Sequence, residues 1–315
     1  MLAILSITFP IFALIGLGYL LTSLKVFAAR DMAVLGKFVI LIALPALLFH
    51  ATATRSFSSL VDPAFMGLLV LAAFTTQALM WTALRLRGVG PGRRAIGVLG
   101  AATPNSAFLA FPIMQMVYPE QAPSILAMCL LVENFLLQPF GLTLIEAVNP
   151  RAEGTSALRQ IGQVALSVLK RPFIIAIILG TVFSVFALPL PTGLDRALDL
   201  LSRAASPVAL FFIGGSLVGL PMKGNLGLAG AIAACKLLLH PTIAFLWLSV
   251  FTLLALPLPP GDLPHALILA TAMPVFGIFP ILAQGSGHEG AAALTVTIST
   301  AAAFITLTSL LALLA

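Results

Sequence analysis

Charged side chains are scarce along this chain. Of its 315 residues, 16 are Lys or Arg and 10 are Asp or Glu, so charged residues make up 8% of the sequence, while hydrophobic residues reach 60%. A soluble domain carries roughly 25% charged residues, and a chain with far fewer cannot coat a particle in water. The composition excludes a soluble globular domain and indicates a polytopic membrane protein.

Cysteine and catalytic motifs are scarce as well. Cys129 and Cys235 stand alone in apolar runs, which excludes a disulfide framework and a CxxC metal site. GGSLV at 214–218 lacks the last glycine of a serine-nucleophile motif, and HEGAA at 288–292 lacks the second histidine of a zinc motif. We therefore predict that the protein is not an enzyme and that it holds no cofactor and no metal.

Long uncharged runs fill most of the sequence instead. Because these runs are continuously apolar and do not alternate, they predict helices and not barrel strands. A helix needs about 20 apolar residues to cross roughly 30 Å of hydrocarbon. We predict ten spans, at approximately 2–23, 32–53, 63–85, 95–118, 122–146, 171–189, 195–219, 225–255, 263–285 and 290–314.

The basic residues fall mainly on one of the two sides that ten spans create. The loops after the first, third, fifth and seventh spans hold eleven of them, and the opposite loops hold two. Cytoplasmic loops carry the excess of Lys and Arg, so we predict a multi-pass protein of the cell (inner) membrane with both termini outside the cytoplasm. This distribution explains the net charge of +6 without a nucleic-acid partner. The eleven are Lys25, Arg30, Arg85, Arg87, Arg93, Arg94, Arg151, Arg159, Lys170, Arg171 and Lys223, and the two are Arg55 and Arg196.

The longest connection, residues 148–170, divides the chain into halves of five spans, 1–147 and 171–315. Its apolar residues have the spacing of one helix face, which fits an amphipathic helix on the inner leaflet. A plain cytoplasmic linker fits as well. The apolar residues concerned are Leu158, Ile161, Val164, Ala165 and Val168.

The two halves share a pattern of prolines. TPNSAFLAFPI at 103–113 in the fourth span and MPVFGIFPI at 273–281 in the ninth each have a proline, a short mixed segment and then Phe-Pro-Ile. LPALLF at 44–49 and SPVALFF at 206–212 correspond in the second and seventh spans. Because five is an odd number, the second half enters the membrane from the opposite side, which predicts an inverted repeat.

These prolines predict two broken helices that cross within the membrane. Proline removes a backbone donor and clashes with the preceding turn, and a break in lipid is tolerated where the freed backbone groups line a polar cavity. Pro104 and Pro112 are expected to bracket the break of the fourth span, and Pro274 and Pro280 that of the ninth. The positive ends of the half-helices would then favour an anion at the crossing.

Asn105 and Ser106 supply polar side chains to the first break. The segment VFGIF of the second break has no polar side chain, and Gly277 is its one helix-interrupting residue. We expect the site to be polar through backbone groups and Asn105. An alternative role for Asn105 is to cap the half-helix that follows it. Apolar walls are expected from Phe108, Phe276 and Phe279, which suits a small organic anion with an apolar body.

Ionisable and amide side chains inside predicted spans form a second group of candidates. In the fifth span, Asn134 and Gln138 are four residues apart and share a face, with Glu133 beside them. In the eighth span, Lys236 and His240 are also four apart. Glu133 and Lys236 are candidates for an ion pair, and the whole group for a site that couples transport to protons or cations.

Several of these segments resemble the auxin efflux carrier family. TPNSAFLAFPIMQMVY at 103–118 is similar to the family's fourth-span motif, AMPVFGIFPI at 272–281 to its ninth span and KLLLHP at 236–241 to its eighth. LKRPFIIAIILGTVFS at 169–184 resembles the Asn-Pro opening of its sixth span, with Arg171 in place of the Asn. The resemblance covers nearly the whole chain, and the short loop in mid-chain resembles bacterial members.

The resemblance implies a ten-span inverted-repeat fold related to NhaA and to the bile-acid symporters. The first, second, sixth and seventh spans would form a scaffold, and the third to fifth and eighth to tenth a moving transport domain. The resemblance also implies export or exchange of organic anions such as auxin-like acids or dicarboxylates, and often a homodimer. Motif matching places the family's crossover asparagine on Asn105 and its fifth-span glutamine on Gln138.

We therefore predict a secondary transporter of small organic anions that works by elevator-type alternating access, with the substrate at the crossed breaks in the lipid bilayer. The alternative is a sodium- or proton-coupled organic anion symporter of the bile-acid type. A sodium ion needs several convergent oxygen ligands, for which Glu133, Asn134, Gln138 and Gln77 are available beside backbone carbonyls.

Overall fold

The computed structural model describes residues 2–54, 61–148, 166, 168–219 and 225–314, and these are overwhelmingly helical. No β-strand occurs in these ranges. Most of the predicted linker helix, including Leu158, Ile161, Val164 and Ala165, lies outside the described residues. The same holds for four of the basic loop residues, Arg55, Arg151, Arg159 and Lys223.

Twelve helices have both ends within the described part of the chain, beside a short 3₁₀ turn at Gln284–Ser286. They are α1 (Leu2–Ser23), α2 (Ala29–Ala53), α3 (Pro63–Leu86), α4 (Pro91–Ala102), α5 (Ser106–Val117), α6 (Ala122–Ala147), α7 (Pro172–Val185), α8 (Thr192–Ser216), α9 (Leu226–Leu253), α10 (Leu263–Thr271), α11 (Phe279–Ala283) and α12 (Glu289–Leu314).

Six of these helices, α2, α3, α6, α8, α9 and α12, are long and apolar enough to cross a membrane, whereas the sequence predicted ten spans. Part of the difference comes from interruption, since the predicted spans 95–118 and 263–285 each fall into two short helices. Shorter apolar helices are Thr8–Ser23 within α1, α5 and α7. Large apolar side chains such as Phe9 and Ile305 are about 70% exposed on the outside, as expected where lipid covers the protein. The fold is that of an all-α, multi-pass membrane protein.

Four helices accommodate a proline through a wider, π-helical turn that precedes it. α2, α5, α6 and α9 each contain a five-residue π-helical segment, and a proline follows two positions after it. In α5 the residue before the proline, Phe111, donates its N–H to the carbonyl of Ser106, five residues back. Because a proline ring clashes with the carbonyl four residues earlier, the wider turn relieves the clash. The segments are Val39–Ala43, Ser106–Ala110, Glu133–Leu137 and Cys235–Leu239, followed by Pro45, Pro112, Pro139 and Pro241.

This arrangement corrects the expected role of Pro112. The chain is already helical from Ser106, and the helix continues through Pro112 to Val117. The first break is therefore shorter than predicted and covers residues 103–105, between α4 and α5. The second break covers residues 272–278, and Pro280 lies in the first turn of α11 that follows it.

The two breaks lie against each other. Pro104 and Val275 form an antiparallel β-bridge, and the N–H of Asn105 donates to the carbonyl of Pro274 with an N···O distance of 2.8 Å. The N–H of Val275 donates to the hydroxyl of Ser299 on α12 at 3.3 Å. Two backbone N–H groups that the breaks would expose to hydrocarbon are thus paired, one with the other break and one with a side chain of α12.

The helices pack in two groups. α1, α2, α7 and α8 pack on one another, and α3, α4, α6, α9 and α12 form most of the remaining contacts. Small residues bring α1 and α8 close together, because a Cβ atom at Gly18 would collide with the carbonyl oxygen of Phe211, and one at Gly214 with that of Ile15. A cavity lies between residues of the two groups.

Candidate functional site

A cavity of about 290 Å³ opens where the two breaks cross. This volume is near the lower end of the range for ligand pockets, roughly 300–1,000 Å³, so the cavity fits a small molecule. Its polar lining comes from the first break, the start of α5, α6 and the residue before α7, and its apolar walls come from α2, α5, α6, the start of α7 and the second break. The polar or charged side chains are Asn105, Ser106, Glu133, Asn134, Gln138 and Arg171, beside Pro104 and Gly277, and the apolar walls include Ile40, Leu44, Phe108, Leu130, Phe173 and Phe276.

Asn105 contributes to this cavity a side-chain amide that has no hydrogen-bond partner among the described residues. Its side chain is 4% exposed and makes no hydrogen bond to the start of α5. Within the described ranges, no other residue bonds to it either. The backbone of Asn105 instead holds the start of α5, because its carbonyl accepts the N–H groups of Leu109 and Ala110 at 3.1 and 3.0 Å. The capping role considered for the Asn105 side chain is therefore wrong, and the amide faces the cavity with free donors and a free acceptor.

The first turn of α5 adds backbone donors next to Asn105. The N–H groups of Ser106, Ala107 and Phe108 donate to none of the described residues, as is usual for the first residues of a helix. All three residues line the cavity. Because these N–H groups point toward the helix start, where the helix dipole is positive, they favour a negatively charged group at this end of the cavity.

Glu133 lies beside these donors and is tied to them. Its carboxylate oxygen Oε1 accepts a hydrogen bond from the hydroxyl of Ser106. The side chain is 3% exposed and lies in the π-helical segment of α6. The bond joins the start of α5 to α6 across the cavity, so the carboxyl group of Glu133 and the amide of Asn105 belong to one site.

Arg171 lines the same cavity. One terminal nitrogen of its guanidinium, Nη1, donates to Oδ1 of Asn134 and, at 3.4 Å, to Oε1 of Gln138. Asn134 in turn donates from Nδ2 to the carbonyl of Leu130 at 2.7 Å. The sequence had placed Arg171 among the basic residues of a loop and had not counted it in the site. A signal was present, because Arg171 stands in place of an asparagine in the motif that resembles the family's sixth span.

Lys236 and His240 belong to a separate cluster. Both are fully buried, and Nζ of Lys236 donates to the carbonyl of Thr271 at 2.5 Å and lies 3.2 Å from Nδ1 of His240. No ion pair joins Lys236 to Glu133, so that predicted pair is wrong. The physical reason is that Thr271 ends α10, and the carbonyls at a helix C-terminus lack partners and attract a cation.

A second cavity, of about 560 Å³, shares one wall with the first. Asn105, Phe108 and Gly277 line both cavities. Pro280 and Lys37 line the second; the sequence had predicted Pro280 as a site residue, whereas it had not pointed to Lys37.

The remaining predicted residues lie around the cavities. Pro112 and Pro274 line neither of the two cavities, and Pro274 contributes its carbonyl to the crossing. Phe279 is fully buried and packs on Phe276 with ring centroids 5.7 Å apart. Gln77 lines another cavity, with Phe74, Trp81 and Phe140 among its walls. Among the described residues, no group of three or more His, Cys, Asp or Glu side chains is placed to hold a metal ion.

Comparison with known proteins identifies the family. Residues 3–311 match the family described as "Membrane transport protein". The chain belongs to the membrane transport protein family. The predicted resemblance to the auxin efflux carriers is confirmed by this match, and the chain is a membrane transporter by family.

Three similar proteins carry transporter names. The chain is 28% identical to a "Putative malonate transporter" of Rhizobium meliloti, over 99% of this chain and 96% of the relative. It is 25% identical to an "Uncharacterized transporter" of Methanothermobacter thermautotrophicus over 74% of each chain. It is 24% identical to the "Uncharacterized transporter YfdV" of Escherichia coli K12, over 65% of this chain and 66% of the relative.

The contacts of the first cavity predict that two neighbouring substitutions lower the stability by different amounts. Ser106→Ala removes the hydroxyl that donates to the buried Glu133 carboxyl, so we expect a loss of about 1–3 kcal/mol. Asn105→Ala removes an unpartnered side chain, so we expect a smaller loss or none. Thermal unfolding of the purified variants in detergent measures both, and a larger loss for Asn105→Ala than for Ser106→Ala would contradict the described contacts.

Proposed function

We propose that this protein is a secondary transporter of small organic anions and binds them at the crossed breaks. The observation that carries the proposal is the buried, unpartnered amide of Asn105 beside the free N–H groups of the first turn of α5. These groups are hydrogen-bond donors without acceptors among the described residues. A carboxylate supplies the acceptors that they lack.

The remaining lining of the cavity supports an organic anion over an inorganic ion. Hydrophobic side chains of Leu44, Phe108 and Phe173 border the same space, and they suit a short carbon skeleton. The name of the Rhizobium meliloti relative points to malonate, and a three-carbon dicarboxylate is of a size that fits the cavity. Small dicarboxylates are therefore the substrates that we propose to test first, with auxin-like acids as the second class.

The proposed mechanism is elevator-type alternating access. It includes the ten-span, two-repeat organisation, a scaffold made from α1, α2, α7 and α8, and a transport domain made from the other helices. The packing of the helices in two groups supports this division. The cavity supports it too, because Leu44 and Phe173 come from the first group whereas Glu133 and Gln138 come from the second. Sliding of one group against the other would carry the anion across.

The proposal also covers the setting of the protein. We place it in the cell membrane with both termini outside the cytoplasm, as the distribution of basic residues favours. Association as a homodimer is part of the proposal and follows from the family alone.

The proposed coupling ion is a proton, with Glu133 as the group that carries it. Two carboxylates in one small cavity repel each other, so an anion that binds near Glu133 favours the neutral acid form of that residue. The groups that surround Glu133 are the Ser106 hydroxyl, the Cys129 thiol and, at longer range, the Lys236 ammonium. Anion and proton would then enter the site together.

The sodium-coupled alternative has less support. Of the oxygen-bearing side chains proposed for such a site, Gln77 lines another cavity. The side-chain oxygens of Asn134 and Gln138 already accept hydrogen bonds from the Arg171 cation. A sodium ion would have to displace this guanidinium, and it would find few oxygen ligands remaining.

Transport into proteoliposomes tests the binding site. We expect Asn105→Ala to raise the half-saturation concentration for malonate about 10- to 100-fold. A change of this size corresponds to the loss of a hydrogen bond to a charged group. The matched control is Asn225→Ala, because Asn225 caps α9 by accepting the N–H of Leu228 and lies outside both cavities. Equal transport by wild type and Asn105→Ala would remove Asn105 from the site.

The response of uptake to pH and to sodium tests the coupling. We expect an inward proton gradient to accelerate anion uptake by the wild type, and Glu133→Gln to abolish this acceleration because the amide cannot take up a proton. Replacement of sodium by choline should leave uptake unchanged. Uptake that stops without sodium and ignores pH would instead support the sodium-coupled symporter.

A further inference from the structure

We propose that Arg171 makes this transporter selective for dicarboxylates by binding the second carboxylate of the substrate. The inference rests on the proposed function and adds to it a specificity-determining residue. In this arrangement, the first carboxylate occupies the donors of Asn105 and the start of α5. The guanidinium of Arg171 then leaves its amide partners, or turns its free edge, to bind the second.

The hydrogen bonds of Arg171 leave most of its donors unused. Both bonds to described residues start from Nη1, so Nε and Nη2 have no acceptor among the described residues. The guanidinium is a rigid fork whose paired N–H groups match the two oxygens of a carboxylate. Its partners in the present arrangement, Asn134 and Gln138, are neutral amides, and they hold the cation in place without balancing its charge.

The position of Arg171 in the fold makes this charge imbalance larger. Arg171 is the N-cap of α7, in extended conformation with φ −69° and ψ 132°, and Pro172 begins the helix. A cation at a helix N-terminus is on the unfavourable, positive end of the helix dipole. No carboxylate of a described residue forms an ion pair with it. An incoming carboxylate therefore finds a cation and a helix end that are both uncompensated.

Neighbouring residues of α6 hold the two sets of donors near each other. Glu133 accepts the Ser106 hydroxyl beside the crossed breaks, and the next residue, Asn134, accepts the guanidinium of Arg171. Adjacent residues of an α-helix are separated by about 1.5 Å along its axis, so a short chain is enough to join the two. We infer that a short dicarboxylate places one carboxylate on each set of donors, whereas a monocarboxylate of the same length leaves Arg171 bonded to Asn134 and Gln138.

The test compares each diacid with its own monoamide. Malonate and succinate are matched by malonamate and succinamate, in which a neutral carboxamide of the same shape replaces one carboxylate. Equilibrium binding to the purified protein in detergent gives the affinity ratio of each pair. For the wild type we expect the better of the two diacids to bind about 10- to 100-fold more tightly than its monoamide, as for a charge-assisted hydrogen bond.

Substitution of Arg171 should remove this ratio selectively. We expect Arg171→Gln to bring the ratio to about one while the affinity for the monoamide changes by less than about threefold. Arg171→Lys keeps the charge without the planar fork, so it should retain part of the ratio. The matched control is Arg203→Gln, since Arg203 is an exposed cation that pairs with Asp199 and lies outside the cavity. Unfolding temperatures close to that of the wild type show that the variants are folded.

The outcomes separate this inference from the proposed function. A wild type that binds diacids and monoamides equally well, or an Arg171→Gln variant that keeps the ratio, would overturn the role of Arg171 and leave the anion site at Asn105 standing. A wild type that binds none of the four acids, and none of a wider panel of monocarboxylates, would overturn the proposed function and this inference together. If Arg171→Lys rescues the ratio that Arg171→Gln has lost, the cation itself is the selective group.

Discussion

The hydrogen bond from the N–H of Asn105 to the carbonyl of Pro274 is the contact on which the site depends. Together with the bridge between Pro104 and Val275, it lets two interrupted helices exist in a membrane, because each break pairs backbone groups that hydrocarbon cannot solvate. The same contact holds the backbone of Asn105, so its side chain is free to face the cavity. If the breaks did not touch, neither the cavity nor the open start of α5 would be placed at the centre of the protein.

Two buried or half-buried cations complete this arrangement, and each is held by uncharged oxygens. Lys236 donates to the carbonyl of Thr271 at the end of α10, so it stabilises a helix terminus that the second break creates. Arg171 donates to the amide oxygens of Asn134 and Gln138 at the edge of the cavity. A helix end compensates Lys236 in part, whereas the helix end beside Arg171 has the wrong sign. The first cation therefore fits a structural role and the second a role in ligand binding.

The sequence predicted those features that depend on composition and on proline. Low charge and long apolar runs predicted a multi-pass helical protein, and the motif around Asn105 predicted the family, which the match over residues 3–311 confirms. Prolines predicted interruptions, but they did not distinguish a break from a widened turn. Pro104 lies in a true break whereas Pro112 follows a π-helical turn, and this outcome depends on whether another backbone segment is available to pair with the freed groups.

The spacing of residues along the sequence did not predict which groups the charged side chains contact. Lys236 and Glu133 have suitable charges and are both buried within predicted spans, yet a helix carbonyl and a serine hydroxyl take the places of the expected ion pair. Arg171 was hidden because a basic residue beside an apolar run usually marks the cytoplasmic side. Its role in the cavity depends on the extended backbone before Pro172 and on two amides 33 and 37 residues away in the chain.

The most direct test of the central claim is an experimental structure of the purified protein with bound malonate, by cryo-electron microscopy. We predict one carboxylate within hydrogen-bonding distance of the Asn105 amide and the first N–H groups of α5, at the contact between the two breaks, and the other at the Arg171 guanidinium. Malonate bound elsewhere, for example beside Lys37 in the second cavity, or breaks that lie apart without the bond from Asn105 to Pro274, would contradict the account.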